Sequence, residues 1–194
     1  MPVMQRIRYL SLKWSAIALL VFGRKAAAAD LFDQMLAEFP RDAYAMASKA
    51  QLHVQAGERA QALQLFNALV HDHPSHAAHW FNLGFMLEED GDYPQAEAAF
   101  RRATELSPEL DRAWYGLGLV LIRLRRFDEA LTALKQNTKL QPMSPYGWYQ
   151  LARVHVDRHE PDEARKIISH LKRFEPKVAA QLERETGIFV SSAS

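Results

Sequence analysis

The stretch AAHWFNLGFMLEEDGDYPQAEAAFRRATELSPEL, residues 77–110, decides the fold. Its first half places Trp80, Leu83 and Gly84 at helical spacing, as the next stretch does with Trp114, Leu117, Gly118 and Leu121. Gly91 follows, where a turn needs a residue that accepts positive φ. Pro94 then stands in a first helical turn, where a missing N–H costs little. The second helix runs through Ala96, Phe100 and Ala103, and Pro108 prevents its continuation. The unit is therefore helix, tight turn, helix.

The same punctuation recurs outward in both directions. Pro40, Pro74, Pro108, Pro142 and Pro176 lie 34 residues apart. Twelve residues before each stands an alanine: Ala28, Ala62, Ala96, Ala130 and Ala164. Eight before stands a large apolar residue: Phe32, Phe66, Phe100, Leu134 and Ile168. Small residues occupy a third position, in Ala16, Ala50, Gly84, Gly118 and Ala152, so that two helices approach closely. Leu12, Met46, Trp80, Trp114 and Trp148 occupy a fourth and fill space between units. The turn position reads Gly23, Gly57, Gly91, Arg125 and His159. The last two turns are expected to be strained or differently shaped.

Five units result, at 9–42, 43–76, 77–110, 111–144 and 145–178. Residues 178–186 read as a short amphipathic capping helix, so that 1–186 form one array. Residues 187–194 are expected to be a flexible tail. The scarcity of Gly (8) and Pro (9) in 194 residues agrees with helices joined by short turns.

Composition narrows the function. With no cysteine, disulfides, thiolate zinc sites, iron–sulfur clusters and thiol catalysis are excluded. A net charge of +1 lacks the basic excess of a general nucleic-acid binder, and the cluster Arg123, Arg125, Arg126 is local. There is no GxSxG, P-loop or dinucleotide fingerprint, and Glu88–Glu89 sit side by side rather than across a cleft. No catalysis, cofactor, metal or nucleic acid is expected. His71, His73, His76 and His79 bunch around one turn, and are read either as a solvent-exposed His-rich turn or as imidazoles near one metal. His155 and His159 lie four apart, but His155 and His53 share an inward position that suits a packed or hydrogen-bonded histidine.

At Trp80, Leu83, Gly84, Gly91, Tyr93, Ala96, Phe100, Ala103 and Pro108 the chain resembles the tetratricopeptide repeat family. Trp114, Leu117, Gly118, Phe127, Ala130 and Pro142 repeat the match. The resemblance implies an all-α fold: a right-handed α-solenoid of tandem helix-turn-helix repeats with a short C-terminal capping helix. It also implies a concave groove lined by the first helices of the units. Carried over by position, the groove residues are Tyr44, Gln51, Phe81, Phe85, Glu88, Glu89, Arg112, Tyr115, Leu119, Arg123, Tyr146, Tyr149 and Arg153. The aromatic members suit anchoring of a partner, or packing between neighbouring first helices, and the charges set its orientation. The family's carboxylate clamp is not implied: Asn82 and Arg112 match it, whereas Ala47, Gln51 and Gly116 do not.

The function implied is that of a non-catalytic scaffold, adaptor or assembly factor holding a segment of another protein. Two alternatives stand beside it: a membrane- or envelope-associated assembly protein, and a chaperone for secreted substrates. The first rests on residues 1–29, which carry Arg6, Arg8, Lys13, Arg24 and Lys25, no acid, and the apolar run Trp14–Phe22. That run reads as a repeat helix, a signal or an anchor. Its groove positions, Leu10, Lys13, Ile17, Leu20 and Val21, are expected to dock a partner protein, a second copy or a membrane surface reached through residues 1–25. The expected location is cytoplasmic, with a peripheral membrane position as the variant and a secreted or periplasmic one less favoured. Oligomeric state is not legible.

Overall fold

In the computed structural model, which describes residues 2–190, the chain is all-α, with eleven helices and no strand among the described residues. They are α1 (Val3–Val21), α2 (Lys25–Glu38), α3 (Ala43–Ala56), α4 (Arg59–Asp72), α5 (Ala77–Glu89) and α6 (Tyr93–Leu106). The rest are α7 (Asp111–Arg123), α8 (Phe127–Leu140), α9 (Pro145–Asp157), α10 (Pro161–Lys172) and α11 (Pro176–Thr186). Two compact units divide the chain, Met1–Met86 and Leu87–Ser194, with the boundary inside α5.

The helix ends follow from the sequence. The side chain of Asp42 accepts a hydrogen bond from Ala45 N at 2.8 Å and caps α3; Asp92 does the same for α6 through Gln95 N. The five turn positions share one left-handed conformation, in Gly23, Gly57 and Gly91 and equally in Arg125 (φ 59°) and His159 (φ 60°). In each, the next N–H reaches back five residues to a carbonyl: Glu58 to His53, Arg126 to Leu121, Glu160 to His155. The turns at Arg125 and His159 thus keep the shape of the glycine turns, with a side chain where L-residues meet steric resistance.

In the first unit, α1 packs on α2, α2 on α3 and α3 on α4. Its core gathers Ala16, Ala28, Phe32, Met35 and Ala45, flanked by Tyr9, Leu12, Leu19, Leu20 and Tyr44. In the second unit, α7 packs on α6 and α8, α9 on α8 and α10, and α11 closes against α9 and α10. Leu131, Leu134, Leu151 and Val154 form one cluster there, and Ala152, Ile168, Leu171, Ala179 and Leu182 another. Close approach explains one glycine: a Cβ on Gly118 would meet Leu134 side-chain carbons at 2.7 Å.

Three tryptophans also close the links between repeats. The indole N–H groups of Trp80, Trp114 and Trp148 donate to the carbonyls of Pro74, Pro108 and Pro142 at 2.8, 2.8 and 2.9 Å. Each proline therefore stops one helix while its carbonyl, six residues earlier, receives the next helix's indole.

Of the expected tail, residues 191–194 lie outside the described residues. Gly187 ends α11 in the left-handed region, and Ile188 and Val190 pack on the last cluster. Val190 N donates to Glu183 Oε1 at 2.7 Å, and Lys172 reaches the Val190 carbonyl.

Candidate functional site

In the second unit, α7 and α9 are neighbours, and the end of α5 and α11 flank them. Helical spacing puts Tyr115, Leu119 and Arg123 on one face of α7, and Tyr146, Tyr149 and Arg153 on one face of α9. Two cavities open along these faces. One, of about 290 Å³, is lined by Tyr115, Pro145, Tyr146, Tyr149, Gln150, Val178 and Gln181. The other, of about 270 Å³, is lined by Glu88, Leu119, Ile122, Arg123, Tyr149, Gln150, Arg153, Val154 and Asp157. Tyr149 and Gln150 belong to both, so an aromatic compartment adjoins a charged one.

The electrostatics of the pair are local. Burial raises the pKa of Glu88, an effect that the nearby Arg123 opposes and Glu89 reinforces. Burial likewise pushes the Tyr115 hydroxyl up. The Tyr149 hydroxyl donates to Glu185 Oε2 of α11 at 2.5 Å, and this bond, before burial, raises its pKa. Arg153 Nη1 lies 3.1 Å from the same carboxylate oxygen and 3.3 Å from the Tyr149 hydroxyl. Glu185 is correspondingly lowered, chiefly by the Tyr149 bond. The capping helix therefore holds two of the groove residues. The sequence reading missed Glu185, because repeat phase does not carry into α11.

Tyr146 is 69% exposed and Arg153, Arg112, Arg123 and Glu89 are exposed, whereas Tyr115, Leu119, Tyr149 and Glu88 are half-buried. Among the neighbouring arginines, Arg126 pairs with Glu97 at 2.6 Å and Glu129 at 2.7 Å, and Arg125 lies over the Phe127 ring. That cluster is matched by acids and an aromatic ring.

In the first unit, Tyr44 is half-buried between the Phe32 ring at 6.0 Å and Lys13 Nζ, 4.3 Å from its centroid. Gln51 is exposed on α3; on α5, Phe81 is half-buried and Phe85 45% exposed. Of the N-terminal positions, Leu20 packs on the core and Ile17 is half-buried, while Leu10 and Val21 are exposed. Lys13 and Leu20 are thus engaged inside the unit rather than offered to a partner. Besides Leu10 and Val21, the residues α1 presents outward are Val3, Met4, Ile7 and Trp14, and the exposed Phe22 follows at its end. Val3, Met4 and Ile7 precede the groove register, which starts at residue 9, and Trp14 and Phe22 fall outside its groove positions.

Several histidines have structural partners. His73 Nε2 meets the Arg41 carbonyl at 2.8 Å, and His76 stacks on His79 at 5.1 Å. Burial first, then His76 and His73, lower the His79 pKa. No group of three potential ligands among the described residues is placed to hold a metal. His53 and His155 each bond a glutamate five residues on, Glu58 at 2.5 Å and Glu160 at 2.7 Å.

A sequence profile described as "Tetratricopeptide repeat" matches residues 47–111, 87–145 and 115–176. No curated protein sequence matches the chain. Among solved structures, it is similar to YrrB, "a TPR protein with an unusual peptide-binding site", at TM-score 0.77 and 18% identity over 87% of this chain and 88% of that one. It is also similar to MamA from Desulfovibrio magneticus, at 0.75 and 17% over 91% and 96%. A thermophilic TPR protein of Thermus thermophilus matches at 0.60 and 23% over 92% and 97%.

Proposed function

The chain belongs to the tetratricopeptide repeat family, and from that premise we propose that it is a non-catalytic scaffold that captures a segment of another protein on the α7–α9 face. The observation that carries this reading is the pair of adjoining cavities sharing Tyr149 and Gln150. Each takes one or two side chains, less than the space a typical cofactor needs. An apolar side chain of the partner enters between Tyr115, Tyr146 and Val178. Polar groups of the same segment then lie against Gln150, Arg123 and Asp157 in the charged compartment. Exposed tyrosine suits the anchoring role because it offers area at small entropic cost. The peptide-binding site named for YrrB supports the class of ligand.

The test is peptide display panned on the full chain, with affinities of the selected peptides measured against Tyr146→Ala. Tyr146 is exposed, so the melt is expected to stay unchanged while affinity falls about tenfold or more, the size of a hot-spot anchor. Selected peptides that bind the variant as tightly as the parent would place the partner on another face.

A further inference from the structure

The outer face of α1 carries most of the exposed large apolar side chains described in the first unit. Val3, Ile7, Leu10, Trp14 and Val21 are 75%, 59%, 41%, 63% and 77% exposed. They follow one another at alternating four- and three-residue steps, apart from the half-buried Ile17 between the last two, so they lie in one stripe. The stripe is opposite Leu12 and Ala16, which pack into the core. It is also broad. Met4, 78% exposed, and Phe22, 79% exposed, extend it well to one side, beyond the narrow seam that two paired helices share.

Charge says what kind of surface fits. No acid precedes Asp30. Arg8 is held by Glu38 at 2.6 Å and Lys13 lies over Tyr44. Arg6, Arg24 and Lys25 make no ion pair among the described residues. On α2, Asp33 and Glu38 are taken by Lys49 and Arg8, and among the described residues Asp30 makes no ion pair. A second copy of α1 would bring like charges together along the stripe. An anionic surface complements them, and a flat one matches the breadth.

We propose that the outer face of α1 docks in the plane of an anionic lipid surface, with Ile7, Leu10, Trp14 and Val21 at the acyl boundary and Arg6, Arg24 and Lys25 at the headgroups. No helix among the described residues is long and apolar enough to cross a membrane, so α1 lies on it, about 28 Å of helix in contact. Opposite faces of one helix then do two jobs: Leu12 and Ala16 hold the repeat, and the stripe holds the bilayer.

The experiment is flotation of the full chain with vesicles of phosphatidylcholine alone and of equal parts phosphatidylcholine and phosphatidylglycerol. The expected result is flotation with the anionic vesicles only. The double change Ile7→Ser, Trp14→Ser is expected to lower the partition about tenfold or more with an unchanged circular-dichroism melt. Arg6→Glu with Arg24→Glu is expected to do the same through charge, and added salt to weaken the parent's binding. Absence of flotation with anionic vesicles overturns the proposal, as does flotation undiminished by the Ile7, Trp14 change. Light scattering that shows a dimer of the parent, dissociated by that change, overturns it in favour of a second copy.

Discussion

Helices α1 and α11 are the first and last of the chain's described helices, and they are built to opposite rules. On α11, Ala179 and Leu182 are fully buried, while Pro176, Lys177, Gln181, Arg184 and Glu185 face solvent. Its outer surface is polar, as the terminal element of a repeat array requires for solubility. On α1 the buried side is as apolar as on α11, but the outer side is apolar too. A helix packed on one side needs one apolar face; the second face of α1 is the one for which the lipid contact is proposed.

The largest effect that bears on this contrast is on stability. Leu182→Ala removes a side chain with no exposure from the last cluster and is expected to cost about 2–5 kcal/mol. Ile7→Ala on the outer face of α1 is expected to change stability by less than about 0.5 kcal/mol. Urea denaturation of the two variants measures both. Comparable losses would mean that the α1 stripe is covered within the folded chain, and the contrast would break.

The contrast lies in the side chains and does not extend to the glycine that follows each helix. Gly23 after α1 and Gly187 after α11 both take φ of 71°, and a Cβ on either would meet nothing within 4 Å. Alanine at either position is therefore opposed only by the left-handed conformation, less the unfolded-state freedom it removes, a net cost of roughly 0.5–1 kcal/mol. Arg125→Gly and His159→Gly are expected to gain the same roughly 0.5–1 kcal/mol, since those turns already carry a side chain in that conformation. Thermal melts check all four. Destabilisation by Arg125→Gly would show that its position over the Phe127 ring outweighs the backbone strain.

How much of this was legible depends on whether a signal repeats. Ala28, Ala62, Ala96, Ala130 and Ala164 are all fully buried, and Phe32, Phe66, Phe100, Leu134 and Ile168 are buried beside them. These positions recur because each unit must pack against its neighbour in the same way, so the period reports the core directly. The tryptophan-to-proline-carbonyl bonds were legible in principle, since Trp follows Pro by six residues three times, but spacing alone does not disclose a hydrogen bond. The left-handed turns at Arg125 and His159 show the period outvoting the residue. At the candidate groove the repeat register finds Tyr115, Tyr146 and Tyr149, which share one cavity. It has no means of finding Glu185, which lies beyond the last unit, and of the outward stripe of α1, part of which precedes the first unit, it finds only Leu10, Ile17 and Val21. Helix α11 itself begins at Pro176, two residues before the expected cap, because a proline is well suited to a first turn.

A further effect separates the two ends by pH. Burial and then the Asp42 carboxylate push the Tyr9 hydroxyl of α1 from the ordinary 10 up to about 12. In the unfolded chain the hydroxyl ionises near 10; in the folded chain it keeps its proton well beyond. The folded state therefore binds the extra proton in this window, and stability falls as pH rises from about 10 towards 12, while below 10 the shift has no effect. Tyr9→Phe is expected to flatten part of that alkaline decline. Tyr149, near the other end, is also raised, but the Glu185 bond leads there rather than burial, so Glu185→Gln is expected to lower its titration and Tyr9→Phe to leave it alone. Denaturation midpoints across the alkaline range, with Tyr149 followed by its phenolate absorbance, separate the two. An alkaline decline identical in Tyr9→Phe and the parent would mean that Asp42 and the packed α1 do not hold the proton on Tyr9.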